Sequence, residues 1–383
     1  MSSDIVFVSA EPSGDDLSVS VIKSLRENDN TLAISAIGGG ALDSVGLTSP
    51  IDVTPLSVLG LFEGLKVYPK VVSLADQAAD FIVRQDPEIA VLVDSWGFML
   101  RVAQRLKKRA PHIRLVKLVG PQVWATRAGR AKTLSKLVDH LLCIHEMEVP
   151  YYEPYGLPCT VIGNPALDRL KPGDGERYRE AQGVLTDNKL LLVLPGSRKS
   201  EIERVAPDLA AAASLLKKKY GARLKVFVLV ARSVASLIRS KELVWPEGTQ
   251  FEDRSEQKAD LMAAADVAMA CSGTVTTELA SQGCPMVIGY RMGALTWTIA
   301  DGLLYKPEFA TLFNIAAERE IAKELLQGAL TPENLVHATE RLLEDETRAE
   351  QQVKDQFNAL KRMGLGGRTA PDIAAQTLLD ILQ

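Results

Sequence analysis

The chain has 383 residues, 46% of them hydrophobic and 24% charged, with a formal net charge of -4. That length favours two domains of similar size, and the composition excludes a disordered or low-complexity chain. Its four cysteines, Cys143, Cys159, Cys271 and Cys284, lie far apart among apolar or small neighbours without metal-ligand spacing, which excludes a disulfide scaffold and reads as reduced core thiols of a cytosolic protein.

Met1 to Ala10 is too short and too poorly flanked for a signal peptide, and no run approaches the ~20 apolar residues of a spanning helix. The first apolar run, Ile5 to Val8, leads into Ser9-Ala10-Glu11-Pro12-Ser13-Gly14-Asp15-Asp16, a turn that opens a helix. Pro12 and Gly14 shape the turn, and Ser13 or Asp15 is the expected N-cap. In a parallel sheet, Glu11, Ser13 and Gly14 stand at the carboxyl edge, where ligands of open α/β sheets bind. Leu32 to Ile37 is the next strand-length run. Leu56 to Tyr68 then mixes large apolar residues with Lys66, a pattern of a core segment or of an interfacial lip.

Ile89 to Val93 is a third run, and Asp94 ends it. A carboxylate at a strand end is a helix cap or, within reach of a hydroxyl, a general base. Leu115 to Leu118 leads to Gly120-Pro121-Gln122-Val123-Trp124-Ala125-Thr126-Arg127, where an amide, an indole and a guanidinium suit a sugar or a phosphate, or a packed Trp beside a surface Arg. From Arg101 to Lys136 there are eleven Lys and Arg and no Asp or Glu. Such a stretch is solvated helix faces or a patch for phosphate or an anionic bilayer. Few aromatics and no recognised motif argue against nucleic acid.

Leu141 to Ile144 and Thr160 to Ile162 complete a first series, and Asn164 to Gly175, with two prolines and two glycines, reads as a linker. A second series follows with Leu190 to Leu194, Leu224 to Val230, Asp266 to Ala270 and Pro285 to Ile288. Doubly apolar strands alternating with helices predict two doubly wound parallel sheets. Leu194-Pro195-Gly196-Ser197-Arg198 and Cys271-Ser272-Gly273-Thr274-Val275-Thr276-Thr277-Glu278 both run from strand to helix. Turns of this kind aim N–H groups and helix N-termini at a diphosphate. Ser197, Ser272, Gly273 and Thr274 would line it, Arg198 would offer a planar fork to phosphate oxygens, and Glu278 suits a ribose diol. The four histidines form no metal set and no Asp-x-Asp pair is placed to chelate, so no metal or cofactor is expected. Polar helices follow Leu330, up to Gly364-Leu365-Gly366-Gly367, and an amphipathic segment from Thr369 to Leu382 closes the chain.

With these residues in view, the chain resembles the lipid-A-disaccharide synthase family. The resemblance rests on Glu11 to Asp15, Val58 to Glu63, Val93-Asp94, Pro121 to Trp124, Leu194 to Arg198, Ser272 to Glu278, Pro285 to Met292, and Asn314, in order along nearly the whole chain. It implies the GT-B fold, two Rossmann-like domains facing across a cleft: residues 1–165, joined by closing helices 345–383, and residues 166–344. It implies an inverting, metal-free glycosyltransferase that moves 2,3-diacylglucosamine from UDP to the 6-hydroxyl of 2,3-diacylglucosamine 1-phosphate, at the inner face of the inner membrane. By motif position Asp94 becomes the base, with Glu11 beside it in the catalytic set. Arg198 and the Ser272 to Thr274 turn hold the diphosphate, and Arg291, Met292 and Asn314 line the nucleotide and sugar pocket. A homodimer through the C-terminal helices is a further expectation. Ala10, Trp96-Gly97, Asn164 and Phe313 depart from the family pattern, mostly on the acceptor side. The departures leave open a different acceptor, epimerase chemistry, or a silent nucleotide-sugar-binding homologue.

Overall fold

The computed structural model describes residues 3–57, 64–240, 242–291 and 308–383. The Val58 to Glu63 motif and Met292 lie outside them, and with that motif goes the middle of the apolar lip. The chain forms two compact units, one of Met1–Asp168 with Met363–Gln383, the other of Arg169–Arg362.

The first unit is a six-stranded parallel sheet of β1 (Ile5–Val8), β2 (Ile34–Ile37), β3 (Ile89–Val93), β4 (Arg114–Leu118), β5 (His140–Cys143) and β6 (Cys159–Val161), in the order β2-β1-β3-β4-β5-β6. β1 and β3 are buried at every residue, which is why their sequences are unbroken apolar runs rather than alternating ones. One face of the sheet, with Val6, Val8, Ala90 and Leu92, packs on the helices Gly64–Gln85 and Trp96–Arg109. The other, with Ile5, Phe7, Val91 and Val93, packs on Pro12–Asn28 and on the last helix, Ala370–Leu382. That last helix is held by Ser24, whose hydroxyl donates to Asp372 at 2.7 Å, and by Asp168, which accepts from the Ala370 N–H at 2.9 Å.

The second unit repeats the scheme with β7 (Lys189–Leu194), β8 (Leu224–Leu229), β9 (Gln250–Glu252), β10 (Val267–Cys271), β11 (Met286–Tyr290) and β12 (Lys323–Leu326), in the order β12-β11-β10-β7-β8-β9. β9 and β12 escape the sequence reading. They are the two edge strands, and their composition is too polar to stand out.

The chain returns to the first unit at Met363 and not near residue 345 as expected. The helix Glu346–Arg362 stays on the second unit because Gln352 accepts the Met286 N–H of β11 at 2.6 Å and Asp355 pairs with Arg319 at 2.7 Å. The return runs through a crossing of Gly163 (φ +82°) and Gly364 (φ +109°), where a Cβ on Gly364 would stand 3.0 Å from the Gly163 Cα. Only glycine allows both the backbone angle and the approach. Asn164, one of the departures from the family pattern, lies beside it and donates its N–H to the Met363 carbonyl at 2.8 Å.

Candidate active site

Each sheet reverses its winding direction once. In the first unit the chain moves outward from β1 to β2 and then restarts on the other side at β3. In the second it moves from β7 to β9 and restarts at β10. Neighbouring loops diverge at such a switch point and leave a crevice at the carboxyl edge. The structure puts the turns after β1 and β3 at one such point and the turns after β7 and β10 at the other.

In the first unit Glu11, and not Ser13 or Asp15, takes the N-cap position of the helix Pro12–Asn28, with no side-chain capping bond. Asp15 is buried and spent internally: it accepts from the Ser9 hydroxyl at 2.5 Å and from the Gly39 N–H at 2.9 Å. Gly14 is also buried, with room for a Cβ no closer than 3.5 Å to Ser9 and 3.6 Å to Val93, so it packs the helix start rather than offering a surface to a ligand. Glu11 is half-buried and Ser13 exposed.

Asp94 leaves β3 with φ +46° and Ser95 follows with φ +38°, a left-handed pair of non-glycine residues. Such residues persist only where their surroundings hold them, and they gather at active sites. The Asp94 N–H donates to the Leu118 carbonyl at 2.8 Å, while its half-buried carboxylate accepts no hydrogen bond from the described residues. Ser95 is the N-cap residue of Trp96–Arg109, so Asp94 is not needed as a cap.

The next loop, after β4, folds on itself through the Ala125 and Thr126 N–H groups, which donate to the Gln122 carbonyl at 3.1 Å. It leaves Gln122 and Arg127 exposed and Trp124 half-buried. Because β1, β3 and β4 are adjacent, these three loops share one edge. Trp96, another departure from the family pattern, carries the Arg130 guanidinium 5.2 Å above its ring.

In the second unit Arg198 is the N-cap of the helix Lys199–Tyr220 and its side chain is 79% exposed. Sequence reasoning missed Glu201, although an acid three residues into a helix is the capping-box signal. Glu201 accepts the N–H groups of Ser197 at 2.9 Å and Arg198 at 3.2 Å and pairs with Arg198 Nη1 at 3.0 Å. Gly196, at φ +117°, is required because a Cβ there would stand 2.7 Å from the Glu201 Cβ. The Ser197 and Arg198 N–H groups expected to face a diphosphate therefore already hold a carboxylate. What this turn offers is the guanidinium.

The turn after β10 keeps more of its donors. The helix Thr274–Ser281 starts there, with Gly273 and Thr274 exposed. Its opening N–H groups have no acceptor inside the helix and carry the positive end of its dipole. The Ser272 hydroxyl donates to the Ala310 carbonyl at 3.2 Å, and Glu278 pairs with Lys258 at 2.5 Å.

Two expected pocket residues are engaged in hydrogen bonds within the second unit. The Arg291 guanidinium is taken up by Asp208 at 2.8 Å and by the carbonyls of Leu330, Arg204 and Gln327. Asn314 is fully buried, and its amide makes four bonds: to the Ala322 carbonyl and Glu324, and from the Ile321 and Ala322 N–H groups. Asn314 has no donor or acceptor left to turn toward a nucleotide, and four of the five N–H groups of Arg291 are taken.

Beneath the first unit's edge lie two more ionisable groups that the sequence reading passed over. Glu148 accepts the Ile144 and His145 N–H groups in a buried setting that pushes its carboxyl up to about 7. Lys117 is buried on β4, and desolvation pulls its ammonium down to about 7 against the pull of Asp94. Among the described residues no group of three or more His, Cys, Asp or Glu converges as a metal site would.

Comparison with known proteins gives the family and the fold. Residues 5–377 match the family described as LpxB, lipid-A-disaccharide synthetase. The chain is 33% identical to the lipid-A-disaccharide synthase of Rhodospirillum centenum, covering 99% of this chain and 94% of that one. It is 35% identical to that of Paramagnetospirillum magneticum, covering 99% and 97%. Among solved structures it is similar to the UDP-GlcNAc 2-epimerase of Neisseria meningitidis bound to UDP-GlcNAc (TM-score 0.61, 13% identity, 98% and 99% covered). It is also similar to Acinetobacter baumannii MurG (TM-score 0.59, 16% identity, 98% and 99% covered). Those two likenesses concern the fold, which is GT-B, whereas the family match spans nearly the whole sequence at higher identity. The chain belongs to the lipid-A-disaccharide synthetase family.

Proposed function

We propose that this glycosyltransferase moves 2,3-diacylglucosamine from UDP to the 6-hydroxyl of 2,3-diacylglucosamine 1-phosphate, forming the β-1,6-linked disaccharide and releasing UDP. The reading is carried by one observation: each sheet presents at its switch point the kind of group the transfer needs, a carboxylate at Asp94 that is uncommitted among the described residues and an exposed guanidinium at Arg198. Asp94 takes the proton from the acceptor hydroxyl as its oxygen attacks the anomeric carbon. The bond from that carbon to the diphosphate breaks on the opposite face, and the electron pair leaves with UDP. Arg198 and the N-terminus of Thr274–Ser281 stabilise the departing charge without a divalent ion. Glu11, Ser13, Gln122, Trp124 and Arg127 are placed to contact the acceptor side, and Glu278 the ribose.

The acylated substrates place the reaction at the inner face of the inner membrane. Four of the eleven basic residues of the stretch support docking there. Arg105, Lys107, Arg109 and Arg114 are paired with Asp76, Asp139, Asp80 and Glu88, whereas Lys108, Arg127, Lys132 and Lys136 are exposed with no carboxylate partner among the described residues. No described helix is long and apolar enough to cross a membrane.

The test is purified protein with UDP-2,3-diacylglucosamine and 2,3-diacylglucosamine 1-phosphate, read by mass spectrometry for disaccharide and UDP, with and without EDTA. Disaccharide in both arms supports the reading. Activity lost with EDTA overturns the metal-free step. Epimerised UDP-sugar donor without disaccharide, or UDP binding without any product, overturns the reaction.

A further inference from the structure

We infer that Lys117 is a positioning residue for Asp94, clamping the turn that aims the base; the inference rests on the reading of Asp94 given above. Lys117 lies on β4, on the face that carries Leu115 and packs on the helices Gly64–Gln85 and Trp96–Arg109, and it is 2% exposed. No carboxylate stands at ion-pair distance from it among the described residues. Its Nζ instead donates to three backbone carbonyls: Asp94 at 2.6 Å, Leu92 at 3.1 Å and Leu118 at 3.3 Å.

Those carbonyls are at the carboxyl ends of β3 and β4, next to the left-handed residues Asp94, Ser95 and Val119 (φ +65°). An ammonium buried without a carboxylate is costly, and an apolar side chain would fill the same space without that cost. The shortest of its three bonds is to the residue that carries the proposed base. Lys117 ties the strand end, the following strand and the strained turn to one point, so the Asp94 side chain leaves the sheet in a fixed direction.

The test uses Lys117→Met, which removes all three bonds, and Lys117→Gln, which keeps a neutral N–H donor. Each is made in the full chain alone and combined with Asp94→Ala, with circular dichroism and thermal melting to establish folding. Lys117→Met is expected to lower kcat about 100-fold, the size of a misplaced general base, with donor KM and UDP affinity held within about threefold. Lys117→Gln is expected to recover part of the loss, and neither change to slow the Asp94→Ala enzyme further.

A folded Lys117→Met enzyme with kcat within about twofold of the parent overturns the inference, and so does a loss that multiplies with that of Asp94→Ala. Should Lys117→Met fail to fold, Lys117→Gln decides by the same two criteria. Parent-like turnover in Asp94→Ala alone overturns the assignment of the base instead, so the two failures are separable.

Discussion

The two switch points are built alike and equipped differently. At the first, the chain ends β3 with left-handed residues and leaves the Asp94 carboxylate without a hydrogen-bond donor among the described residues, while a buried lysine holds the Asp94 backbone carbonyl. At the second, backbone strain falls on a glycine, and the carboxylate of Glu201 already sits on the N–H groups of the turn. Strain with an uncommitted side chain suits a group that must act on a substrate, whereas a satisfied turn that projects a guanidinium suits a group that must hold one. The first edge is therefore read as chemistry and the second as grip.

The sharpest way to break that division is Asp94→Ala. It is expected to lower kcat by about 10³ while leaving UDP affinity unchanged, measured by steady-state turnover and by calorimetric titration with UDP. Parent-like turnover removes the chemistry from the first edge.

Asn314→Ala is next in size. Loss of its four buried bonds should destabilise the second unit by about 3 kcal/mol, seen as a lower midpoint in urea, with UDP affinity of the folded protein intact. A stable variant with weak UDP binding would return Asn314 to the nucleotide pocket.

Arg198→Ala should weaken UDP binding by about 2 kcal/mol, a loss of charge-assisted bonds to the diphosphate. Unchanged UDP affinity would remove the grip from this turn.

The last effect, and per pH unit the smallest, is on stability. Lys117 loses its proton near pH 7 when folded but keeps it to about 10.5 when unfolded, so between about pH 7 and 9 the unfolded chain binds one more proton. Stability contributed by this site therefore rises with pH there, by up to about 1.4 kcal/mol per pH unit, and below pH 7 the contribution is flat. Urea melts at several pH values should show that rise in the parent and its absence in Lys117→Met. A parallel pH dependence in both would show that Lys117 titrates normally.

Much of the fold was legible because its central strands are buried on both faces. Every strand of the first sheet, and the four inner strands of the second, stand out as apolar runs. The edge strands Gln250–Glu252 and Lys323–Leu326 do not, since pairing and not composition makes them strands. Asp94 is conspicuous in the sequence as a charged residue at the end of an apolar run, and Arg198 as one that follows a glycine-bearing turn.

At Arg291 and Asn314 residue type alone does not say which way the polar group turns: carbonyls distant in sequence and Asp208 take up Arg291, and residues 321 to 324 take up Asn314. Lys117 was hidden for the opposite reason. A lysine inside a strand reads as an outward-facing residue until the helices that cover it are known.

The most direct test of the division between grip and chemistry is a crystal structure of the UDP complex. Diphosphate oxygens within about 3 Å of the Arg198 guanidinium and the first N–H groups of Thr274–Ser281 are expected, with Asp94 making no bond to the nucleotide. Uridine diphosphate bound away from both of those groups, or coordinated by Asp94, would contradict it.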